Sequence, residues 1–440
     1  VFLVLAIVSG CTDRPSASND DGGDLIRSEV AIEAPSEALP TAPSISILTE
    51  QRSIPSTSKL SSLVEELDRV AVERSISLQN LQSTLAERRA MEFDRYPRIV
   101  PTASAPISGG NPSIGVNVEQ TIWDAGRTRI RLGQADLEID EARVATWQER
   151  NETIHAGLEA FISIQRHASR ISQNQSLQRE LEGLGETLLT RMEGGVADRG
   201  EQLRMNLALQ EVQREILSEG SDMRTAEAIL ARLVPQVDWP LGDSVLTQAS
   251  SICNRDWPEI EAPRVAEARI RLMQAEANSE ATSARRFPRV IFGTGSSYSS
   301  DGFSEPTATL RVDASDMLGL GRRGSIEAAQ ATRTGALRSY DLQKEDTEDE
   351  LLQLEQDFTG YISDITQLRA LRDTNDDNIT LYREQVVAGA IPIAEGISLF
   401  KERNNTNLAL IDAQAQVIQN CIESARVRGS LAPFGVSYVE

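Results

Sequence analysis

Apolar residues three and four apart run through most of this chain, and two short stretches break the period. Leu60, Leu63, Leu67, Val70, Leu78, Leu81 and Leu85 follow the spacing of a coiled-coil seam, with Arg74 as one polar interruption. A second stripe, Leu158, Phe161, Ile164, Ala168, Ile171, Leu181, Leu184 and Leu188, lies in a proline-free run from Gly126 to Val234. Past the Gly194-Gly195 break, Leu203, Leu207, Val212 and Ile216 carry another helix that ends at Leu233-Val234-Pro235. Proline is also absent from Thr307 to Ile391 and from Ile393 to Ala432. The pattern predicts helix, insert, very long helix, tight glycine turn and shorter helix, written twice.

The inserts read differently. Ile99 to Ile107 and Ile114 to Ile122 flank Gly109-Gly110-Asn111-Pro112, while Val290 to Tyr298 and Thr307 to Val312 flank Ser299-Ser300-Asp301-Gly302. Turn chemistry between two extended arms predicts a β-hairpin in each, at about 97–123 and about 288–316. Ile114, Val116, Val118 and Gln120 alternate with Gly115, Asn117 and Glu119. A wall with lipid on one side and water on the other has that period, and so does a soluble hairpin capping a bundle. Two hairpins supply four strands, too few to close a barrel, whereas three chains supply twelve. The pattern therefore favours a cyclic oligomer.

The two copies lie about 195 residues apart, as Gly126 to Gly321 and Gly195 to Gly389 illustrate. Tyr96-Pro97-Arg98 opens the first insert and Ile122-Trp123-Asp124-Ala125-Gly126-Arg127 closes it. Phe287-Pro288-Arg289 and Met317-Leu318-Gly319-Leu320-Gly321-Arg322 do the same for the second. Further on, Gly195-Val196-Ala197 with Glu201 is echoed by Gly389-Ala390-Ile391 with Glu395. The domain boundaries that result are 60–253 for the first repeat and 254–433 for the second.

Composition narrows the picture. With 4% aromatic residues, 440 residues do not build several compact aromatic cores, which favours a fibrous or bundle-like architecture. The formal charge of −22 and the lack of long basic clusters argue against nucleic acid as a partner. Val1 to Val8, followed by Ser9-Gly10-Cys11, resembles a bacterial lipobox, so residues 1–10 read as the end of a signal peptide truncated at its start and Cys11 as the lipidated residue. Residues 11–59, rich in Ser, Pro, Ala and acidic side chains without a period, read as a flexible tether. Downstream of the signal no stretch is long and apolar enough for a transmembrane helix, so crossing a membrane would require closed β-strands. An export address permits a disulfide between Cys253, after the first repeat, and Cys421, near the end of the last helix.

Residues that could carry catalysis are not grouped. His155 and His167 stand twelve apart without further ligands at metal spacing, the six Met residues are scattered, and Gly319-Leu320-Gly321-Arg322 lacks the ending of a phosphate loop. No catalytic residues, metal or cofactor are expected. Tyr96, Trp123 and Phe287 fall where strands meet helices, as interfacial anchors or as junction packing.

The duplicated Tyr/Phe-Pro-Arg openings, the Gln120-Thr121-Ile122-Trp123-Asp124-Ala125-Gly126 exit, the paired long helices and the glycine turns resemble the TolC-like outer-membrane efflux proteins from about Leu60 to Pro433. The resemblance implies a mainly α fold with a membrane β-barrel contribution: a homotrimer whose twelve strands cross the outer-membrane lipid and whose twelve helices continue as a periplasmic α-barrel. It implies a passive exit duct for a tripartite efflux pump or type I secretion system. Its partners would be a periplasmic adaptor protein and an inner-membrane pump or ABC transporter. By the same resemblance, Glu201 and Glu395 fall at the acidic pore constriction, and Gly195, Val196, Ala197, Gly389, Ala390, Ile391 and Pro392 at the tips that meet the adaptor. A second acidic position of the family is Ser398 here, and its aromatic gating position is Val386. The competing reading is a periplasmic coiled-coil scaffold lipoprotein without a pore.

Overall fold

In the computed structural model, residues 59–104, 112–235, 246, 261–299, 302–314, 321–387 and 391–432 are described. Cys11, the tether, Cys253, Gly389, Ala390 and the turn residues Gly109 to Asn111 lie outside them. The first repeat runs α1 (Lys59–Arg74), α2 (Ile76–Glu92), β1 (Arg98–Ser104), β2 (Ser113–Trp123), α3 (Arg127–Glu193) and α4 (Arg199–Leu233). The second runs α5 (Pro263–Ala284), β3 (Arg289–Ser299), β4 (Gly302–Phe303), β5 (Thr307–Asp313), α6 (Arg322–Val387) and α7 (Ile393–Arg428). At 67 and 66 residues, α3 and α6 are rods of about 100 Å each.

The continuous first helix expected from the leucine period is broken at Ser75. There the Ser75 side chain accepts from the Leu78 amide, and the Glu149 carboxylate on α3 accepts from the Ser75 hydroxyl at 2.8 Å and the Ser77 amide at 3.0 Å. These bonds satisfy amides at the start of α2 that a broken helix leaves open. Leu63, Leu67 and Val70 of α1 are buried, whereas the leucines of α2 are only half-buried.

A small apolar cluster of Val144, Ala266 and Ile270 seats α5 on α3, and two large ones hold the other long helices together. One joins α1, the middle of α3, the end of α4, α6 and the second half of α7, around Leu67, Ile154, Leu158, Ile162 and Ile418. The other joins the far ends of α3 and α6 to the starts of α4 and α7, around Leu181, Leu188, Met205, Ile379, Tyr382 and Ile393. Between them, a buried amide pair fixes the register of α3 against α7: Asn404 Nδ2 donates to Asn174 Oδ1 at 2.9 Å. Near the C-terminus of α7, Trp147 Nε1 donates to the Gly429 carbonyl at 2.9 Å, and Arg150 grips Asp68 with two nitrogens at 2.8–2.9 Å.

The two inserts form one sheet. The order is β1-β2-β3-β5, every neighbour antiparallel, with β4 a two-residue extension along β3. The central pairing of β2 with β3 joins the repeats, running from Ser113 opposite Ser299 to Thr121 opposite Ile291. β1 and β5 are the open edges.

Candidate functional site: the amphipathic sheet and the helical tips

The register sorts most side chains of the sheet by face. The register places Ile99, Val118, Thr294 and Ala308 in one row, with Ile114 beside Tyr298, Val116 beside Ser296, and Phe292 beside Leu310 on the same face. On that face Ile99, Ile114 and Leu310 are 69–70% exposed, and Val116, Phe292, Tyr298 and Val312 are exposed as well. The opposite face carries Arg98, Thr102, Asn117, Glu119, Thr121, Ser297, Thr309 and Arg311, with glycines at 115, 293 and 295. The alternation read in β2 therefore extends to its neighbours, mainly apolar on one side and mainly polar on the other, with Val100 and the buried Ile291 as apolar residues on the polar face.

The Trp-Asp-Ala-Gly-Arg exit builds the joint between sheet and rods. A register shift between Thr121 and Trp123 is a bulge that moves Trp123 onto the apolar face opposite Val290. There it meets the Phe287 ring edge-on at 6.4 Å. Asp124 then accepts from the amides of Gly126 and Thr128 at 3.0 and 2.7 Å, which caps α3. Ala125 and Gly126 both have positive φ, of 57° and 81°. Arg127 donates to the carbonyls of Phe287 and Arg285 at 2.7 and 3.2 Å, so the exit of the first repeat closes the last turn of α5 in the second. Tyr96, Trp123 and Phe287 stay substantially exposed in the single chain.

At the opposite end of the rods, α3 stops in a Schellman motif. The Val196 amide donates to the Arg191 carbonyl at 2.9 Å and Gly195 to Met192 at 3.0 Å, with Gly195 at φ 73°. Asp198 caps α4 through the Glu201 amide at 2.8 Å. Glu201 and Glu395 each occupy the third position of a returning helix, where a carboxylate is stabilised by the helix dipole. The helix dipole thus gives both glutamates a local role. Burial pushes the Tyr382 hydroxyl up, and the charges of Glu395 and Glu201 add smaller contributions in the same direction. Val196 is 72% exposed, Gly195 and Pro392 are exposed, and Ala197 and Ile391 are half-buried. Val386 is buried among the apolar residues of the tip, and the aromatic ring there comes from Tyr382, one helical turn earlier.

Arg191 is the tip residue that pattern reading missed. Its guanidinium donates to the Ile391 carbonyl at 3.1 Å and to the Val386 carbonyl, tying the first repeat's turn to the second's. Further up, Arg403 pairs with Glu180 and Asp376, and Lys401 with Glu211 at 2.5 Å. His155 and His167 face carboxylates, Glu423 at 2.9 Å and Glu219 at 2.6 Å. Cys421 is disulfide-bonded.

This arrangement, two repeats of long antiparallel helices that share one amphipathic sheet, is the fold of TolC-like outer-membrane channels. Among solved structures, the outer membrane protein VceC of Vibrio cholerae superposes with a TM-score of 0.71 at 15% identity, over 86% of this chain and 97% of that one. The outer-membrane channel CmeC of Campylobacter jejuni gives 0.69 at 10% identity, over 97% and 96%. The open state of the Neisseria gonorrhoeae channel MtrE gives 0.68 at 13% identity, over 84% and 90%. No protein-family model and no curated protein matches the sequence.

Proposed function

We propose that three copies of this chain form a passive outer-membrane duct, with the sheets closed into a twelve-stranded barrel and the helices continuing it into the periplasm. The amphipathic sheet carries this reading. No described helix is long and apolar enough to cross a membrane, yet one sheet face presents bulky apolar side chains to solvent. β2 and β3 have 11 residues each, about 37 Å at ~3.4 Å per residue. Tilted by about 45°, they cover roughly the 25 Å apolar band of a transmembrane barrel.

The open edges dictate association. β1 and β5 run in opposite directions, so β5 of one copy pairs antiparallel with β1 of the next and the ring continues without a change of pattern. Leu203, Leu207 and Leu217 on α4 and Leu337, Leu342 and Leu352 on α6 are exposed in the single chain and supply apolar surface for neighbouring copies. A scaffold with soluble hairpins would leave both surfaces in water.

The rest of the proposal joins the channel reading to the sequence. Cys11 anchors the chain by lipid, and Cys253 is the disulfide partner of Cys421. Glu201 and Glu395 gather from three copies at the constriction, and the exposed tip around Val196, with Ala197, Gly389, Ala390, Ile391 and Pro392, docks a periplasmic adaptor. The duct serves an inner-membrane efflux pump or an ATP-driven type I secretion transporter. The test is native mass measurement of the Cys11→Ala protein, which lacks the lipid. A detergent-requiring assembly of three chains supports the duct, and a monomer soluble without detergent would refute it.

A further inference from the structure

The polar face of the sheet ends in a cavity of about 290 Å³ where the strands meet α3. Its wall has an unusual charge for a chain of net −22: Arg98, Arg127, Arg131, Arg289 and Arg311 line it. Three carboxylates share the wall, Asp94, Glu119 and Asp124, and they offset only part of its positive charge. Asp94 accepts from both Arg98 and Arg131, at 2.9 and 3.1 Å. Asp124 is occupied by the amides that start α3. Glu119 stands 3.9 Å from Arg311. Even with Asp313, which accepts from Arg289 at 3.2 Å, guanidinium groups outnumber carboxylates. Each guanidinium carries five N–H donors, so donors exceed acceptors here by more than the charge count implies. Arg289 Nε is shielded from solvent and has no acceptor among the described residues.

The cavity also has a defined side. Arg98, Glu119, Arg289 and Arg311 belong to the polar face, opposite the apolar side chains of Ile99, Phe292 and Leu310. If the apolar face meets lipid, the cavity opens onto the lumen. Three copies would then set fifteen guanidinium groups against twelve carboxylates around one level of the passage, a small net positive charge whose field low-dielectric walls focus. We propose that this level is a cationic collar that binds the carboxylate or phosphate groups of anionic cargo as it crosses from the helical tunnel into the barrel. This rests on the duct reading and adds a substrate class to it. The collar is opposite in sign to the glutamates at the tip, so a cargo molecule would meet an acidic mouth first and a basic throat second.

Single-channel recording of the trimer with inorganic tripolyphosphate added on the barrel side tests the collar. Arginine is suited to bidentate phosphate contact, so wild type should be blocked. In the double variant Arg98→Gln, Arg311→Gln, half-block should need roughly tenfold more tripolyphosphate. Both side chains are mostly exposed, at 70% and 60%, so neither change removes core packing. Arg311→Gln alone provides a milder variant, expected to shift block in the same direction. Glu201→Gln with Glu395→Gln should leave tripolyphosphate block unchanged, which assigns the effect to the sheet end. Equal block of wild type and both arginine variants, or no block at all, would overturn the collar while leaving the duct intact. A wild-type protein that forms no channel would instead remove the duct reading, and the collar with it.

Discussion

Single residues at the tip and near the end of α7 hold this chain's two repeats in one arrangement. Gly396 lies directly under the buried Tyr382 ring, and a methyl group there would come within 2.2 Å of it. Gly396→Ala should therefore cost about 1–3 kcal/mol by overpacking. A denaturant midpoint in detergent reads this, and an unchanged midpoint would mean that the tip repacks freely. Glu423 gives a pH signature. Hydrogen bonds from Arg426 and then His155 hold its carboxyl down at about 2, against an ordinary value near 4.5. A depressed folded-state pKa stabilises above the ordinary value and loses that contribution as pH falls through the depressed one. The stability advantage of wild type over Glu423→Gln should thus be full above pH about 4.5 and shrink toward pH about 2. A gap that stays constant across this window would contradict the assignment. Because the pair is partly exposed, solvent screening keeps the effect modest.

Elements show where sequence was enough and where it was not. The 3.6-residue period, the absence of proline and the glycine breaks located the long helices, because a helix face is written in local spacing. Both hairpins were legible for the same reason, from alternation and turn residues. The break at Ser75 was hidden: Leu67, Val70, Leu78 and Leu81 stay on period across it, and its stabilising partner, Glu149, lies on another helix. The pairing of β2 with β3 was likewise invisible, since it joins segments from different repeats and neither arm names its partner. Arg191 left no signal either, because its acceptors are main-chain carbonyls of the second repeat. The Ser75 joint makes a specific prediction. Glu149→Ala should cost about 1–2 kcal/mol, typical of a lost cap. Hydrogen exchange should accelerate at the start of α2 before it changes in α3. Uniform exchange in both helices would mean that Glu149 does not hold the joint.

For the whole molecule, the defining property is a chain whose apolar surfaces and strand edges are unfinished alone. On the duct reading, lipid covers the apolar face of the sheet, a neighbouring copy pairs with each edge, and neighbouring helices cover the exposed leucines of α4 and α6. One further covalent link belongs to this scale: a Cys253–Cys421 disulfide would tie the segment after the first repeat to the final helix. Non-reducing peptide mapping should recover the two cysteines in one linked fragment, and a different partner for Cys421 would refute the pairing. The most direct test of the central claim is electrical. Purified protein added to a planar lipid bilayer should produce discrete, long-lived conductance steps with divalent-cation block that weakens when Glu201 and Glu395 are both replaced by Gln. A protein that is folded and helical yet yields no conductance over the membrane baseline would contradict the duct.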